Sequence, residues 1–317
     1  MTTYQKIRIV CISDTHNASP GSGYTLPPGD LLIHAGDLTN NGQTSEIRKA
    51  LAWLREADYE HKIVIAGNHD RCLESQLHPS HQPDEDGDEE AAQLCQMMRE
   101  DDRITYLEHE SKVITVKGME IRVFGSPYSP ATASSTQYTA FQYPPSRAQQ
   151  LWSSIPLNTT ILITHTPPAG HLDTSAHWTL GGCPALSQAL FRSKPRLHVC
   201  GHCHEGRGAE IVCWSDEAEA QHGVTKWTDP GSGNKKQSLF DLTGKKSRRA
   251  ATPIHAGAIA IAKGTAIVNA SIMANSYGQG AKAFNKPIVV DIELPAVEED
   301  AQGPRSMHGG VVDGGGL

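Results

Sequence analysis

Aspartate and histidine recur along this chain in short clusters: Asp14-Thr15-His16, Gly36-Asp37, Gly67-Asn68-His69-Asp70, His165 and Gly201-His202-Cys203-His204. Asp14 and His16 are two residues apart, as are His202 and His204, and in extended backbone such side chains point to the same side. Each pair can therefore reach one cation. Asp37 adds a carboxylate with two oxygens, Asn68 a neutral carbonyl oxygen and His165 a ring nitrogen. Oxygen and imidazole donors make a hard-to-borderline set, suited to two divalent first-row metals and not to a thiolate zinc site. Mn, Fe and Zn all fit, because availability decides among them as much as affinity. His69 follows Asn68 in an extended turn and should point away from that ion. Cys203 falls between two ligand candidates and should turn to the opposite face, so Cys200 and Cys203 read as buried strand cysteines.

Every cluster comes directly after a short apolar run: IRIVCIS, LLIHA, KIVIA, ILIT and RLHVC. Such Ile- and Val-rich runs, alternating with helical patterns, are expected of buried strands with helices on the outer faces. Adjacent strands would bring the five clusters to one rim. The clearest helix spans 44–57, with Ile47, Leu51 and Leu54 on one face and Glu46, Arg48, Lys49 and Arg55 directed away. Further helices are expected over 91–100, 146–153 and 184–192. Residues 112–116 and 120–124 flank Lys117-Gly118 as a β-hairpin. The acidic run 83–90 has no apolar period and reads as a solvated loop. Residues 254–270, the most apolar late stretch, are broken by Lys263-Gly264 and read as two strands, too short to span a bilayer.

The 317 residues, 38% of them hydrophobic, suffice for one substantial core with insertions near 74–92 and 214–253. The second insertion, rich in Gly, Ser, Lys and Asp, is expected to be mobile and dispensable for chemistry. The tail, 296–317, is expected to be disordered. A net charge of −7 disfavours a nucleic-acid polymer as partner. Bound dications would still supply local positive charge for a small phosphorylated substrate. Seven cysteines in no disulfide-like framework, with neither a signal-like nor a membrane-spanning stretch, point to a reducing, cytoplasmic setting.

The segments SDTHN, PPGDLLIHAGDLT, KIVIAGNHD, VKGMEIRVFGSPYSP, ILITHTPP and KPRLHVCGHCHEGRG closely resemble the calcineurin-like metallophosphoesterase superfamily. Within it they are most similar to metallophosphoesterase-domain proteins related to class III cyclic-nucleotide phosphodiesterases; the likeness covers most of the chain from Lys6 to Pro295, which implies one metallophosphoesterase domain over 1–295. The resemblance implies a four-layer α/β/β/α sandwich of two mixed sheets flanked by helices. It also implies two divalent cations, one on Asp14, His16, Asp37 and His204 and the other on Asp37, Asn68, His165 and His202, with Asp37 bridging. Metal-bound hydroxide would be the nucleophile. His69 would be the catalytic acid, and imidazole suits proton transfer near neutral pH. The implied substrate is a small phosphodiester, above all a cyclic nucleotide. A phosphomonoesterase and a weakly active nucleotide-binding or scaffold protein are the alternatives. Asn17, Tyr128 in GSPYSP and Arg207 in HEGRG are candidate substrate contacts. One position departs from the superfamily: Asn40 stands where many relatives carry a carboxylate that orients the catalytic histidine. An amide cannot supply that charge, and Asp70 or another acid would have to.

Overall fold

The computed structural model describes residues 4–74, 85–131, 139–176, 181–214, 223–243, 264–274 and 283–295. In chain order the strands are β1 (Tyr4–Ile12), β2 (Leu31–Ala35), β3 (His61–Ile65), β4 (Thr105–Tyr106), β5 (Glu110–Val116), β6 (Met119–Ser126), β7 (Ser129–Pro130) and β8 (Gln142–Tyr143). They continue with β9 (Ile161–Thr164), β10 (Leu197–Cys200), β11 (Gly208–Cys213), β12 (Gly223–Lys226), β13 (Ser238–Asp241), β14 (Gly264–Asn269) and β15 (Ile288–Pro295). The helices are α1 (Thr44–Glu56), α2 (Glu85–Glu100), α3 (Ala148–Ser153) and α4 (Pro184–Ser193).

Two mixed sheets face each other, ordered β13-β15-β1-β2-β3-β4 and β12-β11-β14-β10-β9-β6-β5. Both are parallel at the centre, β1 through β4 in one and β6, β9, β10 and β14 in the other. Parallel strands buried on both faces must be apolar throughout, and their C-terminal ends share one edge. In β1 the period of two sorts the side chains. Ile7, Ile9 and Cys11 enter the core between the sheets, where Ile33, Ile63, Ile121, Ile161, Val199 and Val268 meet them. Val10 and Ile12 face the opposite way, towards Ile47, Leu51 and Leu54 of α1 and Leu94 and Met98 of α2. On the other outer face Phe124, Leu162 and Ile267 pack with Trp152 of α3 and Leu186 and Leu190 of α4. The layers are therefore helix, sheet, sheet, helix. The 112–124 hairpin is present as β5–β6, closed by Lys117 and Gly118, both with positive φ.

Three expectations are corrected. The acidic run is helical from Glu85 onward, where it enters α2. The 214–253 insertion supplies two strands: β12 extends one sheet beside β11, and β13 pairs with β15 at the edge of the other. Phe240 and Leu242, from that same insertion, are buried between the sheets. Glu46 is buried and not on the solvent face of α1. Of the 254–270 stretch, β14 is one of the two expected strands; the other, with the 296–317 tail, lies outside the described residues. No described helix is long and apolar enough to cross a membrane.

Candidate metal centre

The five clusters converge where the strand ends of both sheets meet. Asp14 and His16 leave β1, Asp37 follows β2 and Asn68 follows β3; His165 follows β9, and His202 and His204 follow β10. The two sheets are stitched at this point. Ser13 donates its amide to the Ala270 carbonyl and accepts from the Ile272 amide, while the His202 amide donates to the Asp14 carboxylate (3.1 Å). Asp14, His16, Asp37 and His202 all have positive φ, between 42° and 69°. That conformation is uncommon for residues with a Cβ and clusters where function constrains the chain. Gly36, at φ 94°, leaves no room for a Cβ, which would run into the Ala66 carbonyl and the His165 ring. Gly67 is equally confined by the Asp37 carboxylate.

The hydrogen bonds fix which ring nitrogens face inward. His16 donates Nδ1–H to the Thr39 carbonyl (3.1 Å), and His165 donates Nδ1–H to the Ala35 carbonyl (2.9 Å). A carbonyl only accepts, so in the neutral form of each ring Nε2 carries the inward lone pair. His165 Nε2 lies 3.0 Å from Asn68 Oδ1 and 3.4 Å from Asp37 Oδ2, and His202 Nδ1 lies 2.8 Å from the same Asn68 oxygen. His16 Nε2 lies 3.2 Å from His204 Nε2, which is 3.4 Å from Asp14 Oδ1. Ring nitrogens and oxygens this close need a proton or a cation between them. Histidines that anchor one ring nitrogen to a carbonyl and turn the other to a shared oxygen are arranged as metal ligands are.

Protonation follows the same logic. Burial lowers His16 to about 4 and His202 to about 3, so both rings are neutral. Asp14 and Asp37 are held below the usual carboxylate range: burial opposes this, and His204 and His165 respectively outweigh it. Neutral imidazole and ionised carboxylate are the forms that bind metals. His165 differs. Burial lowers it, but Asp37 brings it up to about 9, so a proton there supplies the positive charge a cation would bring. The donor set thus fits divalent cations.

Asp37 stands between the two halves. Its Oδ2 lies 3.8 Å from His16 Nε2 and 3.4 Å from His165 Nε2, and its Oδ1 accepts the His69 amide (2.8 Å). His69 is closer to the cluster than its place in the turn suggests, with a ring nitrogen within 4.8 Å of ligand atoms of His16 and Asp37. The described Asp/His groups able to hold a cation are Asp14–His16–His204, His16–Asp37–His69 and Asp14–Asp37–His165.

Comparison with known proteins agrees with this chemistry. The calcineurin-like phosphoesterase profile matches residues 7–206, which contain every ligand candidate. The chain belongs to the calcineurin-like phosphoesterase family. Human metallophosphoesterase domain-containing protein 1 is 36% identical over 228 residues, 63% of this chain and 61% of that protein. UPF0046 protein K07C11.7 of Caenorhabditis elegans is 35% identical over 210 residues, 64% of this chain and 65% of that one. A probable rhamnogalacturonate lyase C of Emericella nidulans is 42% identical over 218 residues, 67% of this chain. The matched part is only 18% of that protein, so its name is not carried over.

Other polar positions surround the cluster. Asp70 does not orient His69. Its carboxylate accepts the amides of Gly67 (2.8 Å), Leu38 (3.1 Å) and Thr39 (2.9 Å) and the Thr39 hydroxyl (2.8 Å), tying the Asp37 loop to the Asn68 loop. The ring of His69 instead donates Nδ1–H to the Asn40 main-chain carbonyl (2.7 Å). Arg207 donates from its guanidinium to Asp229 (3.1 Å), Ser238 (3.3 Å) and the Lys286 carbonyl (2.8 Å), with Nε buried and unpartnered. Tyr128 packs between His109 and Phe141. Asn17 lies beside His16 with a buried Oδ1 that has no hydrogen-bond partner. Cys200 and Cys203 are buried free thiols. Glu46, expected to face solvent, had one signal in the sequence: Gln43-x-x-Glu46 has the spacing of a capping box.

Proposed function

We propose that this chain is a two-metal phosphodiesterase acting on small phosphodiesters, cyclic nucleotides foremost. The observation that carries this reading is Asp37 Oδ2, set between His16 Nε2 and His165 Nε2 as a carboxylate shared by two cations would be. Asp14, His16, Asp37 and His204 would hold one ion, and Asp37, Asn68, His165 and His202 the other. Bound there, two divalent ions neutralise phosphate charge and make a water acidic enough to lose a proton near neutral pH. The side chains do the rest. Asp37 fixes the spacing, the anchored rings of His16 and His165 keep their lone pairs inward, and Asn68 orients His165 and His202 together. A water that has given its proton to solvent would add to phosphorus, the ester P–O bond would break, and the leaving oxygen would take the Nε2 proton of a doubly protonated His69 ring, which solvent then replaces. A cyclic substrate would leave as a nucleoside monophosphate with no inorganic phosphate released. Asn17, with its unpartnered buried oxygen, is the best-placed substrate contact of the three expected from sequence; Tyr128 would line the approach.

Chelator-stripped protein titrated with Mn²⁺ should bind two ions per chain, and Asp37→Ala should weaken both. Loading to 100 times Kd should stabilise the fold by ~2.7 kcal/mol per site. A stoichiometry of one at saturation would sink the two-metal reading. Activity is then compared on 3′,5′-cyclic, 2′,3′-cyclic, linear diester and monoester substrates under Mn²⁺, Fe²⁺ and Zn²⁺. Phosphate release from monoesters alone would make it a phosphomonoesterase. Nucleotide binding with no turnover under any metal would make it a binding or scaffold protein.

A further inference from the structure

The Asn40 carbonyl that orients His69 belongs to a peptide group whose other end is also held. A peptide unit is planar, so the Asn40 C=O and the Asn41 N–H lie on one rigid, resonance-coupled plate. The Asn41 N–H donates to Glu46 Oε2 (3.0 Å) while the Asn40 C=O accepts His69 Nδ1–H (2.7 Å). The same carboxylate accepts the Asn40 amide (3.2 Å), the Asn40 side-chain amide (3.3 Å) and the Gln43 amide (3.2 Å). Glu46 is buried, at 7% exposure. Burial alone would raise its pKa, but the amides of Asn41, Gln43 and Asn40 hold it below the usual carboxylate range, so it is charged.

The geometry points to Glu46 as the positioning residue of His69, acting through the Asn40–Asn41 peptide group in place of a carboxylate at position 40. An anion accepting the N–H of an amide increases electron density on its carbonyl oxygen, and hydrogen bonds in such a chain strengthen one another. The carbonyl then binds Nδ1–H more firmly, which fixes the ring orientation and leaves Nε2 as the only nitrogen available to a leaving group. A capping box alone would need Glu46 to bond the Gln43 amide. Four donors gathered on one buried carboxylate, three of them from Asn40 and Asn41, exceed that need.

The catalytic part of this role rests on His69 being the proton donor, so the test has an arm that does not need activity. In ¹⁵N-histidine-labelled protein, with the His69 signals assigned by their loss in His69→Gln, the ring should show one tautomer with the proton on Nδ1. Glu46→Gln should give mixed tautomers and a faster-exchanging Nδ1–H. Asn41→Pro cuts the link at its middle; Asn41 is exposed and outside the left-handed region, and Glu46 keeps its other bonds. It should have the same spectral effect even if Glu46→Gln fails to fold. In the metal-loaded enzyme, either variant should lower kcat about 10–100-fold for an alkoxide leaving group, the range for loss of an orienting partner. The loss should be far smaller for p-nitrophenolate. Leu51→Ala, which weakens α1 without touching the turn, should leave the ratio between the two leaving groups unchanged. An unaltered His69 spectrum in folded Glu46→Gln or Asn41→Pro overturns the role. So does an equal loss for both leaving groups that Leu51→Ala reproduces. A wild-type protein without diesterase activity would refute the proposed function and leave the spectral test standing.

Discussion

His69 has Nδ1 committed to a main-chain carbonyl, and its ring meets that of His16 edge-on at 4.9 Å. Under the proposed function this ring is the proton donor and not a ligand. His69→Asn should therefore keep its metal content, measured by elemental analysis, and lose turnover. With an alkoxide leaving group the loss should be roughly 10²–10⁴-fold, the usual worth of a general acid. With p-nitrophenolate, which departs unprotonated, it should shrink towards nothing. Equal losses for the two would mean that His69 binds phosphate and transfers no proton. The neighbouring Asp70 is a different case, since it accepts four hydrogen bonds from the loops that carry Asp37 and Asn68. It sets where the ligands stand.

At the scale of elements, β13 is the strand whose part in the fold was least expected. It comes from a polar stretch, yet Phe240 is 3% exposed and sits in the core between the sheets. Phe240→Ala should cost ~3–5 kcal/mol in a denaturant titration, as emptying a large buried site does. Removing residues 215–249 takes away β12 and β13 together and should abolish cooperative unfolding. A deletion that still unfolds cooperatively, with stability near wild type, would show the insertion to be an appendage. The contrast with the site is instructive. Asp14, Asp37, Asn68, His165 and His202 were legible because each follows a short, mostly apolar run, and parallel strands deliver their C-terminal ends to one edge whatever the loops do. β13 was hidden because four residues, Ser-Leu-Phe-Asp, bury only alternate side chains and depend on β15, far along the chain, for their register. Glu46 was hidden for another reason. Helical periodicity assigns a charged first-turn residue to solvent, and it carries no information about a preceding turn that folds back to collect the carboxylate. The Asn40 carbonyl could not be seen at all, because a main-chain group has no letter in the sequence.

Across the whole molecule the two ends of the described chain are joined in one sheet, β15 lying antiparallel to β1. Without β15, β1 would be an edge strand, and the Asp14–His16 arm leaving it would rest on one neighbour in its sheet. Asp291 of β15 secures this pairing. It accepts Arg8 Nε (2.7 Å) and Nη2 (2.8 Å), pairs with Lys6 Nζ (2.6 Å), and its main-chain carbonyl accepts the Leu242 amide beyond β13 (2.8 Å). Burial would raise the Asp291 pKa, but the bonds from Arg8 and Lys6 lower it below the ordinary value. The sign of the linkage follows from that direction. The folded carboxyl titrates below the unfolded one, near ~3.9, so its stabilisation is full above that value and drains away as pH falls through the folded pKa. In metal-free protein, urea midpoints should drop between pH 7 and pH 3 for wild type, and the drop should be smaller for Asp291→Asn. The variant should also be the weaker of the two at pH 7, since Arg8 and Lys6 lose their counter-charge. Lys6 and Arg8 are only partly covered, so solvent screening keeps the effect modest, and 0.5 M salt should narrow the difference at pH 7. If Asp291→Asn is destabilised equally at both pH values and in both salts, the residue holds β1 to β15 through hydrogen bonding and packing, and its charge contributes nothing.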